Sequence, residues 1–312
     1  MISVVYACND AYVRQTLISA VSVWKHNPDA KIYLIEDGIS KENRKLIDHI
    51  VKRYGKTVQL YKLSKVLPEM NLDREDRHPH TIYTKLFLEQ IVEEARVLYL
   101  DSDVIVQDSL EELFQRDMTH EIVAGVLMPY SPKVKKNMGI VQGNPYICDG
   151  VVLINLEQWR KENKQQECIR YIEESQGNPP MLSEGTLNHV CQERIGILPP
   201  KYNLMPSMLM YRLDEIRKLF RADFYYTEVY DMEAAIKAPV IIHYMNELFN
   251  RPWFEPSDHP LKEQYYVLEQ ELFGENQIAD MPLAKHTRVT VWLRRHLPFE
   301  VFAALYHIKN GI

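Results

Sequence analysis

Asp101 and Asp103 stand one residue apart in "YLDSDVIV", residues 99–106, between two apolar runs. Val97, Leu98, Tyr99 and Leu100 come before them; Val104, Ile105 and Val106 follow. Two carboxylates in a strand-like run are costly, because like charges a few ångströms apart repel and burial worsens the repulsion. A divalent cation removes that conflict. Carboxylates suit Mg²⁺ or Mn²⁺, which usually complete their shells with substrate phosphates. Residues two apart in extended chain face the same way, so both carboxylates are expected on one face. A lone DxD is a weak signal, since such pairs are commonly solvated loops or caps. The buried run "ARVLYL" before this one strengthens it, because ligands of open α/β sheets bind beyond the carboxyl ends of the strands.

The elements that must position the pair read as an alternation. "ISVVYA" (2–7) is a β-branched apolar run, followed by polar "CNDAY" and a helical pattern through Val13, Leu17, Ala20, Val21 and Trp24. "AKIYLIEDGIS" reads as a strand, "KENRKLIDHIVKRYG" as an amphipathic helix stopped by Gly55, and "KTVQLYKL" as a third strand. "TIYTKLFLEQIV" reads as helical, "ARVLYLDSDVIV" as one further strand, and "SLEELF" as a short helix. "EIVAGVL" is the next apolar run; "YICDGVVLINLEQWR" joins a glycine to a buried strand and a helix. The polar segment 68–80, "PEMNLDREDRHPH", reads as a loop placed where a lid or acceptor loop could lie. The pattern predicts an α/β fold with a mostly parallel sheet.

At 312 residues and 46% apolar composition the chain can bury a large core without disulfides. Cys8, Cys148, Cys168 and Cys191 form no CxxC pair, which argues against zinc knuckles and disulfide frameworks and for reduced thiols. A net charge of −6 gives no reason to expect a nucleic-acid partner. "MISVVYACND" reads as a strand, so no leader is expected, and no apolar run reaches the roughly 18 residues of a membrane-spanning helix.

Several segments, in order, are similar to the retaining glycosyltransferases of family 8, the group containing glycogenin and the bacterial lipooligosaccharide galactosyltransferases. They are "VVYACNDAY", "IYTKL", "VLYLDSDVIV", "YICDGVVLINLEQW", "SEGTLNHV" and "IIHYMNELFNRPW", spanning about residues 2–253. The resemblance implies a GT-A fold: a single nucleotide-binding, mostly parallel sheet merged with an acceptor region. It also implies a UDP-sugar donor, Mn²⁺ (with Mg²⁺ as the alternative) and retention at the anomeric carbon. The expected extent is 1–265 for the GT-A domain and 266–312 for a C-terminal helical, basic and aromatic tail.

Carried over by this resemblance, Asp101 and Asp103 match the metal-binding DxD, with Ser102 between them, and His243 matches the third protein ligand. Imidazole tilts such a site towards transition ions. Ala7, Asn9 and Tyr12 match the loop that cradles uridine; the family often has Asp at the Asn9 position, and an amide also pairs with a uracil edge. Lys85 matches a basic position that meets phosphate or sugar. Arg251, before Pro252 and Trp253, stands in the place of a diphosphate-binding lysine. Asp149 falls near the sugar, beside Cys148 where the family often has Asn. Glu184 falls where the family commonly has Gln, as a nucleophile or a stabiliser of positive charge. Read alone, Ser183 and Glu184 are a helix cap and a dipole-favoured first-turn acid. "HYMNELFNRPW" is two residues longer than the family's segment and lacks its glycine.

The expected activity is transfer of glucose or galactose from UDP-glucose or UDP-galactose to a glycan or glycolipid, in synthesis of a bacterial surface polysaccharide or lipopolysaccharide. The competing readings are an inverting GT-A transferase, a sugar nucleotidyltransferase and a non-catalytic nucleotide- or glycan-binding protein. Residues 284–312 carry five cations (Lys285, Arg288, Arg294, Arg295, Lys309) against Glu300 alone, a net +4, interleaved with Trp292, Leu293, Leu297, Phe299, Phe302, Leu305, Tyr306 and Ile308. Such mixing suits an interfacial helix on anionic lipid. The protein is therefore expected to be cytoplasmic and peripheral on the inner face of the plasma membrane, the bland alternative being a tail packed on the domain or in a dimer contact.

Overall fold

The computed structural model describes residues 1–68, 72, 79–227, 232–246 and 248–310. Residues 69–71 and 73–78, most of the expected lid or acceptor loop, lie outside the described residues. Among those described, seven strands make one sheet: β1 (Ser3–Asn9), β2 (Lys31–Asp37), β3 (Val58–Lys62), β4 (Arg96–Leu100), β6 (Val123–Leu127), β7 (Ile147–Asn155) and β8 (Ile195–Ile197). The order is β3-β2-β1-β4-β7-β6-β8. Only β7 runs antiparallel to its neighbours in this sheet, β4 and β6.

β1, β4, β6 and all but the last residue of β7 read as near-continuous apolar runs, because both faces of the sheet's centre are covered. Helix α1 (Val13–His26) buries Val13, Leu17, Ile18, Val21 and Trp24. Helix α2 (Lys41–Arg53) starts at Ser40, whose side chain accepts from the Asn43 amide, and it ends just before Gly55 at φ +62°. All four cysteines are free and buried.

Two expectations change. "ARVLYLDSDVIV" is not one strand. The chain leaves the sheet after Leu100, turns through Asp101–Asp103, and enters β5 (Val104–Val106). β5 pairs antiparallel with β9 (Ile241–His243), outside the main sheet. The Asp101 amide donates to Gly150 O at 2.8 Å and so ends the β4 ladder where the turn begins. "TIYTKLFLEQIV" is not one α-helix either: it folds as two short 3₁₀ segments, His80–Leu86 and Leu88–Gln90. Thr81, Ile82 and Thr84 are β-branched and disfavour a longer helix. The tight turns bury Tyr83, Lys85 and Leu86 together.

The C-terminal stretch is helical as expected: Lys262–Phe273, Lys285–His296 and Phe299–Asn310. Val291, Phe302 and Ala303 are buried against the body, while Trp292, Leu305 and Ile308 face outward. Among the described residues no helix is long and apolar enough to cross a membrane.

Candidate functional site

The turn after β4, not strand alternation, brings the two aspartates together. Register does the rest. Pairing of β4 with β7 sets Leu100 against Val151, so Asp101 meets Gly150. Pairing of β5 with β9 sets Val104 against His243. One ligand atom from each of Asp101, Asp103 and His243 then falls within 4.8 Å of the others. Gly150 leaves the room: a Cβ there would lie 2.5 Å from His243 Cε1 and 2.7 Å from Asp101 Oδ2.

This donor set fits a divalent ion. His243 Nδ1 lies 3.0 Å from Asn203 Oδ1, and its Nε2 lies 3.1 Å from Asp103 Oδ1. An amide oxygen behind the ring suits the tautomer in which Nδ1 carries the hydrogen and Nε2 can ligate a cation shared with Asp103. Arg251 Nη2 holds the other Asp103 oxygen at 2.7 Å, and its Nη1 donates to the Tyr12 hydroxyl at 3.0 Å. Burial pushes the Asp103 carboxyl up, but His243 and Arg251 outweigh it and hold it well below the usual carboxylate range. Burial raises Asp101 against the pull of Lys85, with Asp103 and Asp149 adding to the rise.

A second buried cluster adjoins the first. Lys85 is buried, and Asp101 Oδ1 at 3.6 Å and Asp149 Oδ2 at 2.9 Å face its ammonium. The Tyr99 ring lies 4.6 Å from the same nitrogen. Burial opposes the Lys85 charge, yet the two carboxylates prevail and raise its pKa well above the ordinary value. Ser183 does not cap its helix. The helix Leu182–Cys191 starts from Met181 at φ +58° with no side-chain cap, and Ser183 Oγ instead donates to Asp149 Oδ2 at 2.8 Å.

Glu184 lies in the first turn of that helix, accepting from Tyr146 Oη at 2.9 Å and from the Asp149 amide at 3.5 Å. Burial, and then the charge of Asp149, push its carboxyl up to about 8. The shift favours the protonated form of Glu184.

Two cavities meet at the aspartates. One, of about 410 Å³, is lined by Ala7, Asn9, Tyr12, Tyr99, Ser102 and Thr81 beside Asp101, Asp103 and Arg251. Asn9 Oδ1 is buried there with no partner among the described residues, a polar edge left for a ligand. Ser102 lines this cavity with its hydroxyl 2.8 Å from Thr16 Oγ1. The other cavity, of about 390 Å³, adds Met128, Tyr130, Cys148, Asp149, Glu184, His243, Met245 and Asn246 to the same Asp101, Asp103 and Arg251. Ala7, Asn9, Tyr12, Asp101, Ser102, Asp103, Asp149, Glu184, His243 and Arg251 each line one or both cavities, while Lys85 braces Asp101 and Asp149 from behind. Sequence reasoning missed Asn203, Tyr146 and the Ser183–Asp149 bond. Asn203 sits in "KYNLMP" with no motif around it, and only the bridge between Leu204 and Ile242 brings it to His243.

The mixed sheet, the strand broken at the acidic pair and the paired cavities define a GT-A fold. The same fold recurs in the crystal structure of galactosyltransferase LgtC in complex with donor and acceptor sugar analogs, at a TM-score of 0.68 and 21% identity over 92% of this chain and 99% of that one. The profile "Glycosyl transferase family 8" matches residues 3–256, and the chain belongs to that family. Among characterised relatives, glycosyltransferase GlyE of Streptococcus pneumoniae serotype 4 is 27% identical over 265 residues, 85% of this chain. The chain spans only 60% of the length of GlyE. General stress protein A of Bacillus subtilis is 21% identical over 84% of this chain and 91% of its own length.

Proposed function

We propose that the protein is a retaining hexosyltransferase that moves glucose or galactose from a UDP-sugar to a glycan or glycolipid, with Mn²⁺ at Asp101, Asp103 and His243. The observation that carries this reading is the placement of three convergent donor atoms, within 4.8 Å, where two cavities meet. The smaller-residue cavity along Ala7, Asn9 and Tyr12 takes uridine. The charged cavity along Asp149 and Glu184 takes the sugar. The chemistry a bound divalent ion supplies is neutralisation of the charge that grows on the leaving diphosphate.

The chain's own residues do the rest. Arg251, already aimed at Asp103, offers a second cation to the diphosphate. Lys85 holds Asp101 and Asp149 in place. Glu184, fixed by Tyr146, lies in the sugar cavity, where the anomeric carbon gains oxocarbenium character as the bond to phosphate breaks. A neutral Glu184 favours attack from the leaving-group face over a covalent intermediate on its carboxylate.

The catalytic unit is proposed to run over 1–265, with 266–312 as a tail that rests on the inner face of a bacterial membrane. Support comes from Trp292, Leu305 and Ile308 facing outward beside the exposed cations Lys285, Arg288, Arg295 and Lys309. Release of UDP from a panel of UDP-hexoses, with and without Mn²⁺, tests the activity. Metal-dependent turnover of one or two hexoses, with product of the donor's anomeric configuration, is expected. Turnover indifferent to chelator, or inverted product, would overturn it.

A further inference from the structure

Asp149 is held by one oxygen. Lys85 Nζ, at 2.9 Å, and Ser183 Oγ, at 2.8 Å, both donate to Oδ2. Lys85 also donates to the Asp149 carbonyl at 3.1 Å, so backbone and side chain are fixed by the same cation. Oδ1 takes no hydrogen bond from any described residue, while Asp149 lines the sugar-side cavity. The clamp is rigid for a stated reason. Asn188, one helical turn beyond Glu184, donates to Ile147 O at 2.8 Å and accepts from the Ile147 amide at 2.8 Å. That pair of bonds ties the helix Leu182–Cys191 to β7 two residues before Asp149, which fixes where Ser183 can reach.

Resting on the donor-sugar reading above, we propose that Asp149 is a specificity-determining residue: Oδ1 accepts a hydrogen bond from one hydroxyl of the transferred sugar, and Ser183 is the positioning residue that aims it. A carboxylate with one oxygen held by two donors presents the other in a single direction. It accepts from a hydroxyl at one ring position and one epimer, and it offers nothing to the other epimer or to a deoxy sugar. The alternative role, a counter-charge for buried Lys85, predicts no dependence on any particular hydroxyl.

Asp149→Asn separates the two. Lys85 and Ser183 both donate, so the amide must turn its oxygen to them and its NH₂ into the cavity. An acceptor becomes a donor at the same place. The experiment measures kcat/KM for the preferred UDP-hexose and its mono-deoxy analogues, with UDP and Mn²⁺ titrated calorimetrically into each protein. In the unaltered protein one deoxy position is expected to cost roughly 10- to 100-fold, the scale of a hydrogen bond to a charged group. In Asp149→Asn that penalty shrinks to under about 3-fold, while the penalties at other positions and the binding of UDP persist. Ser183→Ala shrinks the same penalty partway, and Ser183→Thr restores it. These single-atom variants leave the Lys85 pair in place, and they carry the test if Asp149→Asn folds poorly. Unchanged deoxy penalties in Asp149→Asn or Ser183→Ala, with UDP still bound, would overturn the proposal alone. Failure of the unaltered protein to bind UDP would overturn the donor-site reading and this proposal with it.

Discussion

The two cavities share Asp101, Asp103 and Arg251 but are built differently. The first is lined by the end of β1 and the turn into α1, by residues 79–82, by the turn after β4 and by Arg251. Apart from the shared charges its side chains are neutral, and Asn9 Oδ1 is without a partner among the described residues. The second adds Asp149, Glu184 and His243 from three other elements, with Lys85 behind Asp101 and Asp149. The first is a cradle waiting for an aromatic base. Lys85 behind the second balances Asp101 and Asp149, so removing that one cation leaves both carboxylates without an ion-pair partner among the described residues. On the proposed reading, base recognition is cheap to perturb, while the sugar side is coupled to the stability of the fold through Lys85.

That coupling can be broken directly. Lys85→Met removes the one cation between Asp101 and Asp149 among the described residues, and an unpaired buried charge typically costs about 3–5 kcal/mol. Chemical denaturation should show a loss on that scale in Lys85→Met. A loss under about 1 kcal/mol would show the sugar-side cluster to be solvated and the contrast false.

A smaller effect sharpens the picture through pH. The Glu184 carboxyl is raised to about 8 in the fold from an ordinary value of 4.5. Between those two values the unfolded chain has lost a proton that the folded chain keeps, so Glu184 makes stability fall as pH rises through that window. In metal-free protein, melting temperatures measured between pH 5 and pH 8 should decline in the unaltered chain and decline less in Glu184→Gln. Parallel profiles would show that Glu184 enters the reaction ionised and return it to the role of a possible nucleophile.

The smallest effect belongs to the nucleotide side. Asn9→Ala removes one neutral hydrogen-bonding edge, worth about 0.5–1.5 kcal/mol. UDP affinity is expected to weaken by roughly 3- to 10-fold, with no change in sugar discrimination or denaturation midpoint. An equal loss of stability would erase the difference between the two regions.

Legibility followed the same division. The parallel strands, α1, α2 and the acidic pair were readable because apolar runs, a Ser cap and a Gly stop act locally, and His243 was reached through resemblance over a continuous motif. What was not readable depends on chain reversals. Ser183 has the composition of a cap, and only the left-handed Met181 shifts the helix start so that Ser183 turns to Asp149 instead. "YLDSDVIV" reads as one strand because apolar runs flank its acidic pair on both sides, although Asp101, Ser102 and Asp103 favour a turn; pairing of β5 with β9 carries the chain out of the main sheet. Asn203 carries no local signal, since its role exists only beside a histidine forty residues on.

The central claim is that Asp101, Asp103 and His243 hold a metal that holds the diphosphate. The most direct test is calorimetric titration of UDP into the protein with Mn²⁺ and with chelator, repeated on Asp103→Ala. Binding that requires both Mn²⁺ and Asp103, with affinity falling by at least about 100-fold when either is removed, is the predicted result. Binding of equal strength in chelator, or in Asp103→Ala, would contradict it and leave the acidic turn as a structural break between two strands.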